Sequence, residues 1–117
     1  MFSFKKLTVY EKALVLAIEL CKIAKEFPSS YRRIQDQLIG AVVSIVLNIA
    51  EGSGRISAKE KIHFYRISQA SAFELIAVLE ICDGLELINS KEWLSQIEEI
   101  CKMLSGLIRS KTPSTTN

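Results

Sequence analysis

From Leu38 to Ala50 the only residues that are not apolar are Gly40, Ser44 and Asn48. Their spacing of four places them on one narrow stripe of a helix, and Glu51 extends it. The rest of that circumference is apolar, and a helix that is apolar nearly all round must be covered nearly all round. A chain of 117 residues can supply that cover with its other helices, with copies of itself, or with both. The pattern predicts a central helix that starts near Tyr31. Gly52 and Gly54 are expected to end it, because glycine accepts the left-handed conformation often needed at a helix C-terminus.

The flanking sequence predicts three more helices. Thr8 and Glu11 form a Thr-x-x-Glu capping box, so a first helix is expected from Val9 to Phe27. Leu14, Ala17, Ile18, Cys21 and Ala24 should face inward, with Glu19, Lys22 and Glu26 in water. Pro28 stops the helix, and Ser29-Ser30 supply the loop. Ser57 and Glu60 form a second capping box, opening a third helix over Ala58–Glu86. Phe64, Ser68, Ser71, Leu75, Val78, Cys82 and Leu85 alternate steps of four and three, the seam of a helix bundle. Ile62, Tyr65, Ala72, Ile76 and Leu79 widen that face, so this helix also needs two neighbours. Leu87–Ser90 reads as a short turn that reverses the chain, with Asn89 and Glu92 as a third cap. A fourth helix, Lys91–Arg109, carries the apolar stripe Trp93, Ile97, Ile100, Leu104 and Leu107, with a Glu98–Lys102 pair on its wet face. Four helices with short connections imply an all-α fold, an antiparallel up-down-up-down four-helix bundle over residues 1–110. Residues 111–117 lack apolar side chains and are expected to form a disordered tail.

Composition sharpens this picture in three places. The net charge is only +2, but residues 1–79 hold 11 basic and 7 acidic side chains, and residues 80–117 hold 4 and 6. A molecule with a basic end and an acidic end is expected. Cys21, Cys82 and Cys101 are an odd number without a Cys-x-x-Cys, each on an apolar helix position, as buried reduced thiols would be. That usage points to the cytoplasm. The N-terminus does not carry a signal-peptide pattern. The apolar run 38–50 is shorter than the ~20 residues that cross a bilayer, so no membrane partner is expected.

Candidate chemistry is sparse. Glu60 and His63 have the Glu-x-x-His spacing of di-iron bundles, but such sites need a second motif, and His63 is the single histidine. No metal and no cofactor are expected. Gly-x-Ser-x-Gly is absent, and Gly52-Ser53-Gly54 lacks the lysine spacing of a P-loop. No catalytic residues are assigned. Ser44, Asn48, Glu51 and Gly52, with Ser71 and Glu74 on the third helix, form a polar motif that reads either as a binding site or, the favoured reading, as groups that hydrogen-bond across the second and third helices and so set their register. Gly40 and Ser44 are small enough to let another helix approach closely. Arg55, Lys59, Lys61 and Arg66 cluster at the junction of those helices. They read either as a solvated helix start or as a patch that contacts phosphates, stronger if an oligomer repeats it around an axis.

Ser44-Ile45-Val46-Leu47-Asn48-Ile49-Ala50-Glu51-Gly52 resembles the Ser-Ile-x-x-Asn-Ile-Ala-Glu-Gly signature of a bacterial four-helix-bundle family. That family includes the proteins encoded in 23S rRNA intervening sequences and the accessory variability determinant (Avd-like) proteins of diversity-generating retroelements. Tyr10 through Phe27-Pro28 is similar to the family's opening pattern, and Ser71, Glu74 and Leu75 to its Gly-Ser-x-x-Glu-Leu. Gly40 stands where an arginine is usual, and Ala70 where a glycine is. The resemblance implies a four-helix bundle without enzymatic activity, assembly into a homopentamer, and work alongside nucleic acid or a reverse transcriptase.

Together these observations lead to an expectation of a non-enzymatic, homo-oligomeric accessory protein that associates with RNA or DNA or with a nucleic-acid-processing partner. The alternative is a protein-interaction scaffold that docks a partner through Glu80, Asp83, Glu86, Glu98 and Glu99.

Overall fold

The computed structural model describes Phe4 and residues 7–113. Four α-helices account for nearly all of them: α1 (Thr8–Ala24), α2 (Arg32–Gly54), α3 (Ala58–Gly84) and α4 (Lys91–Lys111). A 3-10 turn, Ser29–Tyr31, follows Pro28 and leads into α2. Each helix packs antiparallel to the next, α2 pairs most extensively with α3, and α1 closes against α4. The fold is the expected up-down-up-down bundle. Residues 114–117 of the expected tail lie outside the described residues, as do Met1–Ser3, Lys5 and Lys6 at the N-terminus. Lys111 is not part of a tail: it closes α4, where Thr112 Oγ1 donates 2.7 Å to the carbonyl of Ile108.

One layer per helix builds the core. Leu16 and Leu20 of α1, Leu38, Val42, Ile45 and Ile49 of α2, Leu75, Leu79 and Cys82 of α3, and Ile97, Ile100 and Leu104 of α4 are all sealed from solvent. Burying each large side chain contributes on the order of 1.5–3 kcal/mol. The expected seams of α3 and α4 hold at their centres, with Phe64 and Ser71 half-buried and Leu85 exposed at the edges. α1 is rotated from expectation. Its core face is Val9, Ala13, Leu16, Ala17, Leu20 and Ala24, while Leu14 is 37% and Ile18 48% exposed. Apolar residues surround most of this helix, so spacing alone admits two inward faces, and only the neighbours select one.

Several helix ends also differ from the motif reading. Leu7, in extended conformation, is the N-cap of α1 and contributes no side-chain bond. Thr8 therefore lies one residue inside the helix, and its capping box does not form. Ser57 does cap α3, accepting 3.1 Å from the amide of Glu60. At α4 the cap is Ser90, without a side-chain bond of its own. Its amide and hydroxyl instead donate to the Asp83 carboxylate at 2.9 and 2.7 Å. Asn89 accepts from Lys91 rather than pairing with Glu92. α3 ends two residues earlier than expected, with Glu86 in the left-handed region at φ 62°. The amides of Leu87 and Glu86 return to the carbonyls of Cys82 and Asp83, a Schellman closure.

Gly52 and Gly54 do not end α2 by left-handed backbone. No described glycine has positive φ, and both lie inside the helix. Gly52 is required for close approach: a Cβ there would stand 2.9 Å from Tyr65 Cε1 and 3.1 Å from Phe64 Cβ. Gly40 and Gly54 face open space.

The helical stretch Ser29–Gly54, 26 residues, is long and apolar enough to cross a membrane by length and composition alone. It exceeds the run 38–50 because its polar residues are mostly uncharged. In the bundle its apolar residues are largely spent on α1 and α3. Val43 remains half-buried and Leu47 is 61% exposed. The central helix is thus covered mainly by its own chain, and what is left open is a strip rather than a full face.

Candidate functional site

The polar motif of α2 and α3 is partly assembled. Ser44 and Ser71 hydroxyls meet across the helix interface at 2.7 Å. Asn48 stays within its own helix, donating to the carbonyl and hydroxyl of Ser44 at 2.8 and 3.1 Å. Glu51 turns along α2 to Arg55, and Glu74 is exposed. The expected network across the helices therefore reduces to the Ser44–Ser71 bond. Asn48, half-buried, is satisfied by Ser44 of its own helix, and Glu51 and Glu74 are exposed to solvent.

Other cross-helix bonds fix register instead. Ser68, fully buried, donates 2.9 Å to the carbonyl of Ile45. Gln69 reaches α4, donating to Ser105 Oγ at 2.8 Å and the Cys101 carbonyl at 3.3 Å. Ser53 and Tyr65 hydroxyls stand 3.1 Å apart. The spacing of the α3 seam placed Ser68 and Tyr65 inward. Nothing in the sequence pairs them with Ile45 or Ser53.

The basic cluster divides into two parts. Arg55 is paired with Glu51 and, at 3.5 Å, with Glu60, and its guanidinium lies 4.7 Å over the Phe64 ring. Lys61 reaches back from α3 to the C-terminus of α2, donating to the carbonyls of Ser53 at 2.9 Å and Gly52 at 3.5 Å. A cation in the first turn of a helix is ill placed for that helix; here it serves the preceding one, whose last carbonyls are open. Lys59 and Arg66 are exposed, and neither has a hydrogen-bond or ion-pair partner among the described residues. Antiparallel packing brings the end of α4, with Arg109 and Lys111, to the end of the bundle where α3 begins. Lys61 and Lys111 line one cleft there. Lys111, assigned to the tail by composition, is the basic residue that sequence reasoning missed.

The acidic residues are also partly engaged. Asp83 is held by Ser90, whose amide and then hydroxyl keep its carboxyl below the usual carboxylate range. Glu98 pairs with Lys102 at 3.4 Å, and Glu99 with Lys12 at 3.2 Å. Glu80 and Glu86 are exposed. Such surface pairs contribute at most about 1 kcal/mol each.

Glu60 and His63 do not converge on one site. Glu60 faces Arg55, whereas His63 is exposed and lies edge-on to Phe64. Among the described residues no three His, Cys, Asp or Glu side chains gather as a metal site would require. The three cysteines are free thiols, Cys82 buried and Cys21 and Cys101 half-buried. Burial raises the pKa of each, and the charge of Glu98 adds to the effect at Cys101. All three are held away from the reactive thiolate.

One further feature is apolar. Leu14, Ile18 and Cys21 of α1 and Val43, Val46 and Leu47 of α2 line a shallow groove on the outside of the bundle.

The family model for the 23S rRNA-intervening sequence protein matches residues 5–106. No curated protein matches. Among solved structures, the chain is similar to a protein of unknown function from the S23 ribosomal protein family of Bacteroides thetaiotaomicron VPI-5482. The two share 24% identity and a TM-score of 0.78, over 86% of this chain and 95% of that one. At that identity the likeness speaks for the helical fold. Because the family match takes in all four helices up to Gly106, the chain belongs to the family of 23S rRNA-intervening sequence proteins.

Proposed function

We propose that this chain is a non-enzymatic, cytoplasmic accessory protein that self-associates and binds nucleic acid through the basic end of its bundle. The observation that carries the reading is the state of the cations there. Lys59 and Arg66 are exposed and without a partner among the described residues, and Lys61 and Lys111 line a cleft at the same end of the bundle. Exposed cations on one rigid end suit phosphates, with no sequence readout implied. Self-association is supported by the α1–α2 groove, where Leu14, Ile18 and Leu47 remain open.

The test is binding to RNA and DNA over a salt series, with wild type beside Lys59→Glu and Arg66→Glu. The affinity is expected to fall with salt, and each variant to reduce the log–log slope by about one. Undetectable affinity at low salt, or full affinity in the double variant, refutes the nucleic-acid part. Light scattering of wild type and Leu47→Asp tests the other part: a wild-type monomer at micromolar concentration removes it.

The alternative, a scaffold that binds only protein, draws support from α3. Phe73, 62% exposed, and Ile81 lie on its outer face, two helical turns apart. A pull-down that recovers a protein partner without nucleic acid, and loses it with Phe73→Ser, would favour that reading.

A further inference from the structure

At the basic end a cleft of about 160 Å³ opens between the end of α2, the start of α3 and the end of α4. Its polar lining is Ser53, Lys61, Tyr65 and Lys111, over Phe4, Leu7 and Leu107, and among the described residues no carboxylate lines it. The donors there exceed the acceptors. Ser53 and Tyr65 share one hydrogen bond between two hydroxyls, which leaves one hydroxyl hydrogen over. Lys61 has three N–H groups and two carbonyl partners, one of them at 3.5 Å. Lys111 is half-buried, with no partner for its ammonium among the described residues. Leu7, the N-cap of α1, makes no side-chain bond to the amides of the turn it opens. Two ammonium groups on one partly enclosed cleft repel each other, and an anion between them would relieve that repulsion.

We propose that this cleft binds a tetrahedral phosphate oxyanion, held by Lys61 and Lys111 and by the hydroxyl hydrogen that Ser53 and Tyr65 leave free. At about 160 Å³ the cleft has room for a single phosphate group beside its two lysines. The phosphate is the end of a nucleic-acid strand, which rests on the functional reading above, or the free anion, which does not.

Inorganic phosphate is titrated into the full chain at constant ionic strength while amide resonances are followed by NMR. Saturable shifts are expected at Ser53, Gly54 and Lys111. Lys111→Met should weaken phosphate binding about tenfold, the loss of one hydrogen bond to a charged group, and Lys111→Arg should retain it. Absence of saturable shifts in wild type, or equal affinity in Lys111→Met, overturns the proposal. Oligonucleotides with a 5′-phosphate and a 5′-hydroxyl then separate the sources. A preference for the phosphorylated strand that vanishes in Lys111→Met identifies the strand end as the ligand. Phosphate binding without any oligonucleotide binding leaves the cleft as a free-anion site and removes the nucleic-acid reading alone.

Discussion

The same substitution at two positions of α2 should have opposite effects, and the comparison tests how the helices are packed. At Gly52 an added Cβ would meet Tyr65 Cε1 at 2.9 Å and Tyr65 Cδ1 and Phe64 Cβ at 3.1 Å. Tyr65 has little freedom to withdraw, being 2% exposed and hydrogen-bonded to Ser53. Overpacking of this kind costs about 1–3 kcal/mol, while replacing glycine by alanine in a helix returns at most about 1 kcal/mol. Gly52→Ala is therefore expected to lose about 1–2 kcal/mol, a fall in Tm of about 4–8 °C for a domain of this size. Gly40 lies on the exposed side of the same helix with nothing within 4 Å of its would-be Cβ. Gly40→Ala should keep the whole propensity gain and raise Tm by up to about 4 °C. Thermal and urea unfolding of both variants, each at two protein concentrations, checks this. A Gly52→Ala protein as stable as Gly40→Ala would refute the close approach of α2 and α3 at Tyr65. In a Gly52→Ala/Tyr65→Ala background the penalty should shrink, because the ring that causes most of it is gone.

Three other outcomes are expected. Glu86→Gly should stabilise the protein by about 1 kcal/mol, since Glu86 holds a left-handed backbone that glycine adopts without a steric penalty; urea unfolding reads it, and an unchanged midpoint would contradict the Schellman closure. Ser57→Ala should cost about 1 kcal/mol through loss of the α3 cap, whereas Thr8→Ala should cost far less because Thr8 is not a cap; equal losses in Tm would count against the assignment. Asp83 stabilises the α3–α4 turn as a carboxylate, so its contribution is present above the ordinary carboxylate pKa of about 4 and is lost as pH falls through its lowered value. Asp83→Ala should then be less stable than wild type at neutral pH, with the gap closing in acid; a gap independent of pH would show that Ser90 does not depend on the charge.

The sequence alone determined the number, order and direction of the helices, because each depends on local periods and stops: the seam Ser68–Leu75–Cys82, the stripe Ile97–Ile100–Leu104, Pro28 and the Leu87–Ser90 turn. It also carried the signature at Ser44–Gly52 that the family match bears out. What it left open was rotation and partnership. α1 is apolar on two faces, so only packing against α2 and α4 could turn Leu16 and Leu20 inward and leave Leu14 and Ile18 outside. Gly52 reads as a helix stop until the ring of Tyr65 is seen against it. The basic cluster reads as one patch until Arg55 is found spent on Glu51 and Glu60, and Lys61 on the end of α2. Lys111, fifty residues from Lys61 in the chain, reaches the same cleft only through antiparallel packing. Periodicity is a property of one segment and survives translation into structure, whereas which face turns inward and which charge is free are properties of pairs of segments, decided only when they meet.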